Sequence, residues 1–205
     1  MESISESDAR ENRFLKSENI RLKSENNAMR NYVERLQKTL SALVDLQKEI
    51  DNVSRDSNIY LLIHQMVEAA LSSVDSENGS LMLLDEDTGE LVFVEVIGDA
   101  QQRLMNRRMP REAGIASWVM ENRQAKMVSD LGSMPRLRLS VNQYTGLESK
   151  TMACIPLLDG DRRLGVIEVI NTKSGRLFEP ADLDILQLVG RLASLAIIAV
   201  EKASA

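Results

Sequence analysis

The 205-residue sequence holds one cysteine, Cys154, and one histidine, His64. A lone thiol excludes a disulfide framework, a cysteine zinc site and a paired-thiol redox centre within one chain. A lone imidazole removes most histidine-based catalytic arrangements. Aromatic residues make up only 3% of the chain, too few for platforms on which nucleic-acid bases stack. A formal net charge of −6 argues against a phosphate backbone or an anionic membrane surface as partner. The longest apolar run, Leu192 to Val200 with Ser194 inside it, is short for a bilayer span. The N-terminal stretch is polar and acidic, without a signal-peptide pattern. These absences lead us to expect a cytoplasmic protein with neither nucleic acid nor membrane as partner.

What is present begins with a repeat. Leu15, Leu22, Met29, Leu36, Leu43 and Ile50 recur at every seventh position. A seven-residue apolar period keeps one seam of a helix facing a partner and defines these as the d positions of a coiled coil. The a positions are then Asn12, Asn19, Asn26, Val33, Leu40 and Gln47. Asparagine inside such a seam sacrifices stability to fix register and oligomer state. Glu11, Glu18 and Glu25 fall at g, and Lys16, Lys23 and Arg30 at e. In a parallel, in-register homodimer each g residue meets the e residue five places on in the other chain, and all three pairs attract. The drier half, from Val33 to Ile50, is expected to hold the dimer together. The predicted organisation is a parallel dimeric coiled coil over 1–50, a junction over 51–56 and one domain over 57–205, long enough to bury a core of its own.

Along that domain, Asp56 or Ser57 is expected to cap a helix that ends near Val74 and carries His64, read as an ordinary surface histidine rather than a pH sensor or haem ligand. Ser80–Asp85 and Glu90–Val96 flank Glu86-Asp87-Thr88-Gly89 and predict a hairpin. Gly98 to Pro110 is polar, irregular or helical. Ala113 to Asn122 predicts a short helix with Ile115, Trp118 and Val119 turned inward. Ala125–Asp130 predicts a strand, and Leu131 to Ser149 a long connection of the kind that is usually functional or holds further structure. Lys150–Leu158 and Arg162–Asn171 predict a second hairpin. Pro180 opens a last helix, at the position where proline is best tolerated. Its apolar residues cover about half its circumference, well beyond the ~100° stripe of a helix with one wet side. Leu188, Leu192 and Leu195 are therefore expected to meet a second copy of the chain.

This order of elements resembles a GAF domain over about residues 57–203. The resemblance is carried by Gly114-Ile115-Ala116-Ser117-Trp118-Val119, by Cys154-Ile155-Pro156-Leu157 with Leu164-Gly165-Val166-Ile167-Glu168-Val169, and by Phe178 with Asp182 before the final helix. It implies an α+β fold: an antiparallel sheet of five or six strands with helices on both faces, here preceded by the long coiled-coil helix. It further implies a sensory module in intracellular signal transduction. Terminal helices would dimerise on one face of the sheet, and a small-molecule pocket would lie on the other.

The chemistry within that resemblance is sparse. The nucleotide-binding branch of the family carries an Asn-Lys…Phe…Asp-Glu pattern. Asn171, Phe178 and Asp182 fit it, but Thr172 separates Asn171 from Lys173, and Leu183 stands in the glutamate position. Cys154 has no neighbouring histidine and reads as a small core residue, so no bilin is expected, and neither is haem or a metal; the cofactor is otherwise unknown. Free methionine sulfoxide reduction, an activity of some stand-alone members, needs a nucleophilic and usually a resolving thiol, so the protein is read as no enzyme. Arg103, Arg107, Arg108 and Arg111, with Arg136 and Arg138, crowd the expected pocket mouth, where arginine clamps a carboxylate or phosphate. The expected ligand is a small anion, with Trp118, Asp130, Arg136, Arg138, Tyr144 and Asn171 as binding residues. The expected dimer interface is Leu15, Asn19, Leu22, Asn26, Met29, Val33, Leu36, Leu40, Leu43, Ile50, Leu188, Leu192 and Leu195. An unidentified signalling protein would receive the signal. The alternatives are a ligand-free dimerisation scaffold, marked by a pocket collapsed around Met and Leu in place of one lined by converging polar groups, and, less favoured, a cyclic-nucleotide-binding GAF domain.

Overall fold

A computed structural model describes residues 2–54, 57–110 and 114–204, with side chains from residue 8 to residue 203. Asp56 and Arg111, named above as a cap and as part of the arginine cluster, lie outside the described residues. The chain divides into two compact units, residues 1–37 and 38–205.

From Glu2 on the first unit is helical, the start of α1 (Glu2–Asp51). Its heptad residues Leu15, Leu22, Met29 and Val33 are exposed. Within the chain Arg21 pairs with Glu18 and with Glu25, the two glutamates one turn to either side of it.

In the second unit, α2 (Ile59–Ser73) begins at Asn58, whose side-chain oxygen accepts from the backbone N–H of Tyr60 and Leu61. Asparagine at that place satisfies donors that the first turn leaves unpaired; Ser57, the expected cap, lies one residue outside. β1 (Asn78–Leu84) and β2 (Leu91–Ile97) form the first hairpin, with one bulge between Leu81 and Met82. α3 (Gln101–Leu104) and β3 (Arg108–Met109) follow, then α4 (Gly114–Asn122) and β4 (Lys126–Val128). A 3-10 turn at Leu131–Ser133 leads into α5 (Pro135–Thr145). β5 (Met152–Asp159), β6 (Arg162–Ile170) and α6 (Pro180–Ser204) complete the fold. All neighbouring strands run antiparallel in one six-stranded sheet, ordered β3-β2-β1-β6-β5-β4.

The stretch expected to be a long connection thus contains an 11-residue helix. Pro135 occupies its first turn and Gly146 ends it at φ +80°, a left-handed conformation that glycine adopts without a side-chain clash.

One face of the sheet is dry. Leu81, Ile155, Leu157, Ile167 and Val169 pack there against Met66, Val67 and Ala70 of α2 and Leu186, Val189, Ala193 and Ala196 of α6. α6 approaches β5 so closely that a Cβ at Gly190 would lie 2.6 Å from Ile155 Cγ2. Ser194 pins the same contact, accepting from Leu158 N–H at 2.9 Å and donating to the Gly190 carbonyl at 2.8 Å.

The end of α1 joins this core, which corrects the assignment of all the heptad leucines to a dimer seam. Leu43 and Leu46 are buried inside the second unit, with Ile50 packed beside them. Leu43 is 6% exposed in a single chain and Leu40 59%. The apolar period continues past the point where its function changes, because a helix packed on its own sheet needs an apolar stripe as much as a coil does.

α6 also revises the expectation about membrane spans. Pro180–Ala203 has a mean hydropathy of 1.9, long and apolar enough by composition to cross a bilayer. Its stripe Leu186, Val189, Ala193, Ala196 is spent on the sheet, while Leu188 and Leu195 stay about half exposed.

Candidate functional site

The other face of the sheet is covered by short elements. Met82, Phe93, Val96, Cys154 and Val166 look out from the strands toward Ala100 and Leu104 of α3 and Ala116, Val119 and Met120 of α4. Tyr144 of α5 packs on the same cluster, its ring centroid 6.2 Å from that of Phe93.

One polar row crosses this face. Glu168 of β6 is directly opposite Ser80 of β1 on one side and Cys154 of β5 on the other. Directly opposed residues on adjacent strands point to the same face, so hydroxyl, carboxyl and thiol lie side by side. All three are buried, Glu168 at 7% exposure. Among the described residues the Glu168 side chain makes no hydrogen bond and no ion pair. Burial pushes its pKa up to about 7, because the charged form loses its hydration and nothing replaces it. Burial, and then the neighbouring Glu168 charge, pushes the Cys154 thiol well above its ordinary value.

Glu168 and Ser80 open on a cavity of about 10 Å³, walled by Val96 of β2, by Ala100 and Leu104 at α3 and by Thr145 and Leu147 at the end of α5. That is the room of about one water-sized sphere. Thr145 is satisfied locally: its hydroxyl donates to the Val141 carbonyl at 2.8 Å and accepts from Leu147 N–H at 3.1 Å.

The residues chosen from the sequence do not converge on this cavity. Trp118 is 39% exposed, which corrects its inward placement; it sits on the outer side of α4 with Lys126 Nζ 4.8 Å from its ring centroid. Asp130 is exposed, and its carboxylate accepts from Gly132 N–H at 2.8 Å to start the 3-10 turn. Arg136 is exposed, and Arg138 is paired with Glu148 at 2.8 Å. Arg108 locks the first hairpin, reaching Asp85 at 2.7 Å and Glu90 at 3.1 Å. Tyr144 alone of the six reaches the buried cluster; its hydroxyl donates to the Arg108 carbonyl at 3.0 Å, and burial raises its pKa.

Asn171 holds the chain together instead of facing a ligand. At φ +58° it accepts from Lys150 N–H at 2.7 Å and Thr151 N–H at 3.3 Å, and it donates to the Glu148 carbonyl at 2.9 Å. The other members of its pattern are similarly occupied. Phe178 is buried in the dry core, and Asp182 binds Arg176 through both oxygens at 2.6 and 2.8 Å while accepting from Glu179 N–H at 2.9 Å. His64 is partly exposed on α2, with Glu68 and Glu95 at 3.5 and 3.4 Å.

Glu168 is the residue that sequence reasoning passed over. The signal was a carboxylate inside the run Gly165-Val166-Ile167-Glu168-Val169-Ile170. A strand apolar on both faces excludes charge unless the charge has a task or a partner.

Against known proteins, a family model described as GAF domain matches residues 61–198. The probable 3',5'-cyclic phosphodiesterase pde-5 of Caenorhabditis elegans is 27% identical over 165 residues, which cover 76% of this chain and 22% of the relative. The chain thus spans about a fifth of the length of that curated relative. Residues 122 to 287 of a methyl-accepting chemotaxis protein superpose with a TM-score of 0.65 at 22% identity, covering 80% of this chain and 99% of that one. The far-red absorbing dark state of JSC1_58120g3, with bound biliverdin, superposes with a TM-score of 0.59 at 14% identity, over 78% of this chain and 99% of that one. That neighbour overturns the expectation that no bilin goes with such a chain. The expectation rested on a cysteine without an adjacent histidine, which is an argument about one covalent bond and not about what the fold accommodates.

Proposed function

The chain belongs to the GAF domain family, whose members act in signal sensing, and from that premise we propose that it is a non-enzymatic, dimeric sensory module of the cytoplasm. A small molecule is read on the Glu168 face of the sheet, and the response leaves through the helices on the opposite face. The observation that carries this reading is the buried Glu168 carboxyl, without a partner among the described residues, at a cavity beneath α3 and α5.

The relay follows from the strand itself. Successive residues of a strand point to opposite faces. Ile167 and Val169, the neighbours of Glu168, pack in the core shared with α2 and α6. A ligand that shifts β6 therefore bears on both helices, by as much as its affinity differs between the two arrangements. The output is an unidentified signalling protein. We place the dimer contacts on the exposed heptad residues of 1–37, together with Leu40, and on Leu188 and Leu195 of α6. The coil over 1–50 and the domain over 57–205 are likewise proposals, with α1 serving both.

Two sequence expectations lose support. Among the described residues the cavity wall contains no arginine, so an anion clamped by Arg136 or Arg138 is not what this geometry favours. The residues of the cyclic-nucleotide pattern are engaged in holding the fold. Cys154, buried with a raised pKa, is a poor nucleophile because the thiolate is the reacting form.

A ligand-free scaffold remains the second reading, and one observation favours it: the cavity is no larger than about 10 Å³. Thermal-shift screening of the full chain against anionic, neutral and cationic metabolites separates the two. The sensory reading expects at least one class to raise Tm and to alter amide exchange in α2 and α6; a flat response to every class at millimolar levels contradicts it and leaves the scaffold.

A further inference from the structure

We propose that the Glu168 cavity is a site for a small organic cation, a protonated amine or amidine, that forms an ion pair with the Glu168 carboxylate and takes a second hydrogen bond from its nitrogen to the Ser80 hydroxyl. The proposal deepens the sensory reading and rests on it.

The argument starts from what surrounds the carboxyl. Its partners across the sheet are a hydroxyl, Ser80, and a thiol, Cys154. Above it the cap supplies Ala100, Leu104, Thr145 and Leu147. Thr145 has already committed its hydroxyl to the α5 backbone. The titratable groups packed nearest are Cys154 on β5 and Tyr144 on α5, both of which are negative when ionised and oppose a charge on Glu168. Arg103 of α3 is turned to the α5 terminus, where its guanidinium lies against Gly146. Arg107 is exposed, and the group it acts on is Tyr144. The interior therefore offers acceptors and a latent negative charge, with no cation among the described residues of the wall to satisfy them. An anionic ligand would meet like charge there. A cation supplies the missing partner, and in a desolvated site a charge-assisted hydrogen bond is among the strongest available.

Entry requires the cap to yield, because about 10 Å³ does not hold an amine beyond the size of one water-sized sphere. The cap is suited to this. α3 has four residues and follows Gly98, in the left-handed region at φ +101°, and α5 ends at Gly146 at φ +80°.

The test uses the full chain with butylamine and benzamidine as probes, and butyrate and butanol as controls of similar size, each followed by calorimetry and by Tm. Butylamine or benzamidine is expected to bind at millimolar concentration or better. Because the cation selects the ionised carboxyl, affinity should fall about tenfold from pH 8 to pH 6, the ratio of ionised fractions for a group titrating near 7. Glu168→Gln, which keeps shape and removes charge, is expected to abolish amine binding, and Ser80→Ala to weaken it severalfold. Should Glu168→Gln fail to fold, the pH dependence and Ser80→Ala decide alone. Amine binding that is indifferent to pH, or unchanged in Glu168→Gln, overturns the cation site. Binding of butyrate or butanol in place of the amines also overturns it, while leaving the sensory reading intact. No binding by any probe overturns the cation site; the broader screen above then decides the sensory reading separately.

Discussion

The two faces of the sheet are built from the same strands and do different work. On the α2–α6 face the strand contacts are mainly aliphatic, Leu81, Ile155, Ile167 and Val169 against Leu186, Val189 and Ala193, under helices of 15 and 25 residues. On the other face the strands carry Ser80, Glu168 and Cys154 in one row, under helices of 4, 9 and 11 residues. Long helices bury much apolar area per end and cannot shift piecemeal; short ones joined at left-handed glycines can. The difference teaches where stability is stored and where adaptability is left, and that β6 links them because its alternate residues belong to each.

Three substitutions would break or sharpen that contrast. The largest effect is expected on the dry face. Leu186 is 1% exposed and faces a packed helix–sheet contact, so Leu186→Ala should cost about 4 kcal/mol in urea unfolding, toward the upper range for a buried leucine that cannot collapse its cavity. A loss below about 1 kcal/mol would mean that this face is no more rigid than the other.

Next is Glu168, through pH. Its carboxyl is held protonated to about 7 in the folded chain against 4.5 as its ordinary value. The folded state then binds more protons than the unfolded state between those values, so stability falls as pH rises through the window. The loss amounts to about 3 kcal/mol above pH 7, taken from the size of the shift. Glu168→Gln removes that slope: the variant should match the parent near pH 5 and exceed it by about that amount at pH 8. Unfolding curves whose difference is constant from pH 5 to pH 8 would show that the carboxyl is solvated.

The smallest of the three is Leu104→Ala. Leu104 is as buried as many core leucines, at 4% exposure, but belongs to a four-residue helix. The cap can settle into the space, so the expected cost is about 2 kcal/mol, the low end for such a change. Hydrogen exchange in α3 should quicken while α6 stays protected. Equal deprotection of α6 would contradict the separation of the two faces.

How far the sequence was legible follows from the physics of each element. The hairpins were readable because alternation and turn chemistry are local: Asp85 accepts from the N–H groups of Asp87 and Thr88 at 3.1 Å, and Gly89 takes φ +71°. α6 was readable from Pro180 and its wide apolar arc. α5 was passed over although its signals were present, Pro135 at the start, Gly146 at the end, and Leu137 and Val141 one turn apart. Its polar, arginine-bearing surface masked a narrow stripe. The heptads misled at their end, where Leu43 and Ile50 serve the chain's own core; a period cannot say which surface it will meet. The arginines misled because a charge near a pocket in sequence can be spent elsewhere, as Arg108 is on the hairpin and Arg138 on Glu148. Glu168 asked for the opposite reasoning, an isolated charge in an apolar run, and its lack of partners became visible only when three strands were laid side by side.

The most direct measurement is a pH titration of the Glu168 side-chain carboxyl carbon by NMR in the full chain. A midpoint near 7 is the result this account predicts. A midpoint near the ordinary carboxyl value of 4.5 would place the group in water and contradict the proposed sensory face.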